Sequence, residues 1–185
     1  MVFLQEKLRS ISHIYSLLES LRPDWTFHAL DVQGRSGGIS VSVDGRTMKL
    51  LNVWGRGGVL IADVFLEDLG MELHIMNKYG PCNRRAKFWE DIMRSLFLQV
   101  DNIIFGGDIN FFIEHAESWG NHAQIDSFSE YFVQLLEEKN LIDIHVSRLQ
   151  PTWRNHKTRD LMLVIRLHRF LIKEALMEPF VKVRK

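Results

Sequence analysis

One cysteine, Cys82, stands in 185 residues. A lone thiol excludes an internal disulfide and fits a reducing compartment, so an intracellular location, nuclear or cytoplasmic, is expected. Its place just after a turn proline marks Cys82 as incidental rather than nucleophilic. Net charge is also lacking, because 23 basic residues balance 23 acidic ones. No global field announces a nucleic-acid partner, although a local basic face stays open. The tail Val181–Lys185 and the 154–159 stretch are the candidates for such a face, and both read as solvated surface. The eight histidines show no paired ligand spacing, which argues against zinc. No apolar run approaches a membrane span, and the first residues are too poor in apolar side chains for a signal peptide. Internal repeats and linker-like tracts are absent as well.

What is present is a globular composition, 46% hydrophobic and 25% charged. The length suits one domain, residues 1–185, with a substantial core. Ser10 or Ser12 can cap a helix that carries Ile11, Ile14, Leu17, Leu18 and Leu21 on one face and ends before Pro23. Short strands are expected at Ile39–Val43, Thr47–Val53, Leu60–Leu66 and Glu72–Lys78, separated by turns such as Asp44-Gly45-Arg46. The spacing predicts a helix over Arg84–Val100 with Trp89, Ile92, Met93, Leu96 and Phe97 inward. Ser127 and Glu130 form a capping-box pattern before Phe128, Phe132, Leu135 and Leu136. Leu161–Ile165 and Arg169–Ile172 are the last strand candidates. Trp89, Phe97 and Trp153 read as core aromatics rather than a base-stacking surface.

The most informative stretch is Phe105-Gly106-Gly107-Asp108-Ile109-Asn110. Here a buried strand is expected to stop at the Gly-Gly pair, where the backbone can turn tightly. That turn would leave a carboxylate and a carboxamide on one face at the open end of a sheet, where α/β proteins place chemistry. Asp108 suits a water proton or a hard cation, and Asn110 a phosphate oxygen or the orientation of that water. Gly-Asp-x-Asn also makes ordinary Asx turns, so this pattern alone leaves both readings open.

Six further segments follow a fixed order: Phe3 to Lys7, Gly34-Arg35-Ser36-Gly37-Gly38, Tyr79-Gly80-Pro81, Phe88-Trp89-Glu90, Pro151-Thr152-Trp153 and Ile165 to Phe170. With Gly107 to Asn110 they resemble the endonuclease/exonuclease/phosphatase superfamily over nearly the whole chain. The resemblance is to plant sequences derived from non-LTR retrotransposon endonucleases, whose segments read FLQETK, GRSGG, YGP, FWE, GDFN, PTW and SRLDRF. It implies an α/β, four-layer DNase I-like β-sandwich flanked by helices, incomplete at the N- and C-termini. It also implies Mg2+-dependent (or Mn2+-dependent) hydrolysis of DNA or another phosphodiester by in-line attack of water. On that pattern Glu6 binds the metal, since carboxylate oxygens suit Mg2+. Asp108 and Asn110 activate and position the attacking water, and the Tyr79 hydroxyl meets the phosphate.

The resemblance also exposes departures. The Asn-bearing strand that precedes the FLQE segment would lie before Met1, and the final Ser-Asp-His motif would follow Phe180. His168 stands where the family has the aspartate that orients the catalytic histidine, and Ile165 stands where it has serine. Two functional readings follow. One is a residually active metal-dependent endonuclease or phosphatase. The other is a catalytically dead remnant that at most binds metal or a partner. The incomplete set favours the second, since groups acting as a unit lose most activity when one is removed. No oligomeric state can be read from the sequence.

Overall fold

Alternation of apolar and polar residues decides which side of each strand meets the neighbouring layer. The computed structural model describes residues 1–7, 11–30, 38–56, 58–81, 85–119, 125–144, 149–155, 157 and 162–182. Ser10, residues 34–37, Cys82, Arg159, Leu161 and 183–185 lie outside the described residues, as does the side chain of Glu6. In chain order the elements are β1 (Val2–Lys7), α1 (Ile11–Leu21), β2 (Trp25–Leu30), β3 (Gly38–Asp44), β4 (Met48–Arg56) and β5 (Val59–Leu66). Next come β6 (Met71–Tyr79), α2 (Arg85–Met93), β7 (Ile103–Asp108), β8 (Ser118–Trp119) and α3 (Ser129–Glu138). The last are β9 (Leu141–Asp143), β10 (Trp153–Arg154), β11 (Val164–Ile165), β12 (His168–Lys173) and α4 (Met177–Lys182).

A six-stranded sheet runs in the order β4-β5-β6-β7-β12-β9, and a three-stranded sheet in the order β1-β3-β2. All pairs in both are antiparallel except β6 with β7. A third, small sheet runs in the order β10-β11-β8. Between the two main sheets lies an aliphatic core of Ile39, Val41 and Val43 against Val64, Leu73, Ile75, Ile104 and Ile172. The other face of the six-stranded sheet carries Met76, Ile103 and Phe105 against Trp89, Ile92, Phe132 and Leu136 of α2 and α3. Trp89 is the hub, with T-shaped contacts to Phe88, Phe105, Phe111 and Phe132. Helix α1 contacts β2. The layers are therefore helix, sheet, sheet, helix.

Several expectations need correction. Arg84–Val100 is not one helix: α2 ends at Met93, and Leu96–Gln99 form a separate 3-10 turn after Ser95, which is extended at φ −65°, ψ 147°. The break turns Leu98 inward at 0% exposure and leaves Leu96 outside at 83%. Helix α3 starts without the Ser127/Glu130 box; the Asp126 carboxylate instead accepts the Phe128 N–H at 2.9 Å. Trp153 is 38% exposed rather than core. Strand β2 carries no sequence signal because it is an edge strand that buries Phe27 alone.

Candidate active site

The Gly-Gly pair does not end the strand. Strand β7 runs through both glycines to Asp108, and close approach is what requires them. A Cβ on Gly106 would stand 2.6 Å from the Phe3 ring and 2.9 Å from Phe170. One on Gly107, whose φ is +137°, would stand 1.8 Å from the Lys78 carbonyl oxygen. The glycines thus let β1 and β6 close upon β7 just before the carboxylate.

Register then assembles a row of side chains. Tyr79 of β6 is the parallel partner of Asp108, and His168 of β12 is its antiparallel partner. Directly opposed residues share a face of the sheet. Tyr79, Asp108 and His168 therefore line up on the face toward β1, with Asp108 3% exposed, Tyr79 half-buried and His168 exposed. The row behind it is Asn77, Gly106 and Phe170, and there Phe3 meets Phe170 with ring centroids 5.1 Å apart.

Gln5 locks β1 onto this row. Its carboxamide oxygen accepts the Asp108 N–H at 2.7 Å, while its Nε2 donates to Asn77 Oδ1 at 2.7 Å and to the Lys78 carbonyl. Asn77, fully buried, donates onward to the Ser40 carbonyl at 2.7 Å. Glu6 follows Gln5 within an irregularity of β1 between Leu4 and Lys7. Neither Gln5 nor Asn77 was singled out from the sequence. The signal was available in part, since each is an amide that follows an apolar pair in its strand, Phe3-Leu4 or Ile75-Met76, and once buried must find partners there.

Asp108 and Asn110 do not share an extended face. Asn110 has φ +62°, the Asp108 carboxylate accepts the Asn110 N–H at 2.7 Å, and the Asn110 amide donates to the Gly80 carbonyl. This is an Asx turn, which points the two side chains differently from the expected pair. Ile109 N–H donates to the Leu167 carbonyl at 3.1 Å, and Thr152 Oγ1 accepts the N–H of Leu167 at 2.9 Å and of His168 at 3.0 Å. The Pro-Thr-Trp segment thus holds the start of β12 in place.

Behind the turn lies a buried quartet of charges that the sequence did not announce. Arg166 binds Glu117 at 2.7 Å and Asp143 at 2.8 Å; Arg169 binds Asp143 at 2.5 Å and also Glu117. Glu117, Arg166 and Arg169 are each at most 5% exposed. Two guanidiniums and two carboxylates cancel, which is the condition under which charges tolerate burial. Burial alone would raise the Glu117 pKa, but Arg169, the Ile113 N–H and Arg166 overbalance it and hold the carboxyl at about 2. The quartet ties the segment after Asn110 to β9 and β12, and so fixes Asp108 relative to His168.

Among the described residues no three Asp, Glu, His or Cys side chains converge as a metal cage. The donors at this end among the described side chains are the Asp108 carboxylate and the Asn110 carboxamide. Oxygen donors of this kind suit Mg2+, which keeps most of its water shell. Among the described residues no helix is long and apolar enough to cross a membrane.

No family model and no curated protein matches the chain. Solved structures do. TDP2 of D. rerio, complexed with a single-strand DNA product, aligns at TM-score 0.61 and 18% identity, over 93% of this chain and 70% of that one. The endonuclease domain of TRAS1, a telomere-specific non-LTR retrotransposon, aligns at TM-score 0.64 and 13% identity, over 88% and 79%. ANGEL2, a 2',3'-cyclic phosphatase in complex with adenosine-2',3'-vanadate, aligns at TM-score 0.56 and 12% identity, over 91% and 68%. At such identities the likeness is one of fold, and the fold is the DNase I-like α/β sandwich.

Proposed function

We propose that the chain carries the phosphodiester-binding end of a DNase I-like hydrolase in a form whose turnover is absent or very weak. The observation that supports it is the row Tyr79–Asp108–His168. A phenol and a carboxylate stand at the ends of two parallel strands, where a phosphate and its attacking water can be held. At the third place stands an imidazole. A neutral or cationic ring supplies no negative charge to orient a catalytic histidine and stabilise its charged form. In this reading Glu6 holds Mg2+ or Mn2+, Asp108 directs water, and Asn110 and Tyr79 contact the phosphate of DNA or another phosphodiester. The ordered motifs and the fold shared with the TRAS1 endonuclease domain support descent from a non-LTR retrotransposon endonuclease of the kind found in plants. The lone cysteine supports a place inside the cell, in nucleus or cytoplasm.

A second reading, residual metal-dependent hydrolysis, rests on Asp108 and Asn110 both being retained on one turn. A metal held by Glu6 still polarises a phosphate. Binding and turnover are separable. Fluorescence anisotropy of a labelled single-stranded oligonucleotide, with and without Mg2+, tests the binding half. Mg2+-dependent binding weakened by Asp108→Asn and by Glu6→Gln is expected. Binding indifferent to Mg2+ and to both substitutions would overturn the assignment of the site.

A further inference from the structure

Lys78 sets a cation into an apolar layer. Along β6 the side chains of Leu73, Ile75 and Tyr79 join the core between the two sheets, whereas Met76 and Lys78 face α2. Lys78 is 1% exposed, and among the described residues its amine has no hydrogen-bond partner. Its Nζ lies 3.2 Å from the centroid of the Phe88 ring, a cation–π contact. Burial pushes its pKa down to about 7.

The same residue lines a cavity of about 420 Å³ between β4, β5, β6 and α2. Trp54, Ile61, Phe88, Ile92 and Phe97 supply apolar and aromatic walls. That volume lies in the range of small-molecule sites, which pair apolar walls with few polar groups. Among the described residues the one charged lining residue besides Lys78 is Asp91, which is exposed and pairs with Lys87 at 3.5 Å. An ammonium has three donors and no acceptor, so what it lacks is an anionic acceptor. The walls ask for a flat apolar body.

From these features we infer that the cavity binds a small aromatic carboxylate, its ring against Trp54 and Phe97 and its carboxylate on the Lys78 amine. The Phe88 ring that covers the amine is itself a wall of the cavity. The carboxylate reaches the amine by displacing that ring, exchanging a cation–π contact for an ion pair. The site faces the helix layer, so it lies across β6 from Tyr79 and is independent of the proposed phosphodiester site.

The test uses 2-naphthoate and its neutral counterpart 2-naphthylmethanol, titrated by isothermal calorimetry against the full chain and Lys78→Met. The wild type should bind naphthoate about tenfold or more tightly than the alcohol, and Lys78→Met should erase the preference. Methionine matches the length and apolar stem of lysine, so the variant should fold. Should it fail to fold, the preference in the wild type decides alone. Equal affinity for the two compounds, no binding of naphthoate, or naphthoate binding unchanged in Lys78→Met would overturn the inference.

Discussion

Replacing Glu117 by glutamine tests whether the buried quartet holds the candidate site together. The substitution keeps the shape and removes one of two carboxylates, so Arg166 and Arg169 are left sharing Asp143. Glu117 titrates at about 2 against an ordinary 4.5. That depression corresponds to about 3 kcal/mol of folding stability. The figure agrees with the roughly 3–5 kcal/mol lost when one partner of a buried ion pair is removed. Because the folded-state pKa is lowered, this stability is fully present above 4.5 and is lost as pH falls toward 2. Urea denaturation followed by tryptophan fluorescence reads it directly, since Trp89 is fully buried. Near pH 7 Glu117→Gln should be less stable by about 3 kcal/mol, and the gap should close as pH is lowered toward about 2. Replacing Glu117 and Arg169 together by methionine should cost less than the sum of the two single changes, because no lone charge is stranded. A single variant within about 1 kcal/mol of wild type near neutral pH, or a gap that ignores pH, would refute the reasoning.

Gly107→Ala places a methyl group against the Lys78 carbonyl at a positive φ, and should lower stability by about 3 kcal/mol or more in a thermal melt. Gln5→Leu strands the buried Asp108 N–H and should cost about 1–3 kcal/mol, read by urea denaturation. Leu98→Ala should cost about 2–5 kcal/mol, whereas Leu96→Ala, two residues earlier, should stay within about 0.5 kcal/mol. Equal losses for the two leucines would mean that the helix continues through Ser95 after all.

Strands whose pattern comes from burial were legible. The core strands β3, β5 and β6 fall within two residues of the positions expected from Ile39–Val43, Leu60–Leu66 and Glu72–Lys78. Signals that depend on the partner were not. Gly106 and Gly107 read as a turn because glycine permits one, but what they permit here is contact with Phe3, Phe170 and the Lys78 carbonyl, which only the folded chain supplies. Ser95 breaks a helix that periodicity would continue, since burying Leu98 requires the turn. At the site, Asp108 and Tyr79 were legible by type, and register brings them side by side. Asn110 was assigned an extended face, and its positive φ, stabilised by the Asp108 carboxylate, gives it another direction. Glu117, Arg166 and Arg169 lie up to 52 residues apart, and no local spacing predicts that they meet. The resemblance contained both arginines without assigning them a role.

The central claim is that this end of the sandwich engages a phosphodiester without turning it over. Nicking of a supercoiled plasmid in Mg2+ tests it most directly, with Asp108→Asn and Glu6→Gln run beside the unaltered chain and His168→Asp as a fourth sample. The unaltered chain should leave the plasmid closed or nick it only in trace, and any gain should come from placing an acid opposite Asp108. Robust nicking by the unaltered chain, abolished by both Asp108→Asn and Glu6→Gln, would contradict the claim and establish a working nuclease.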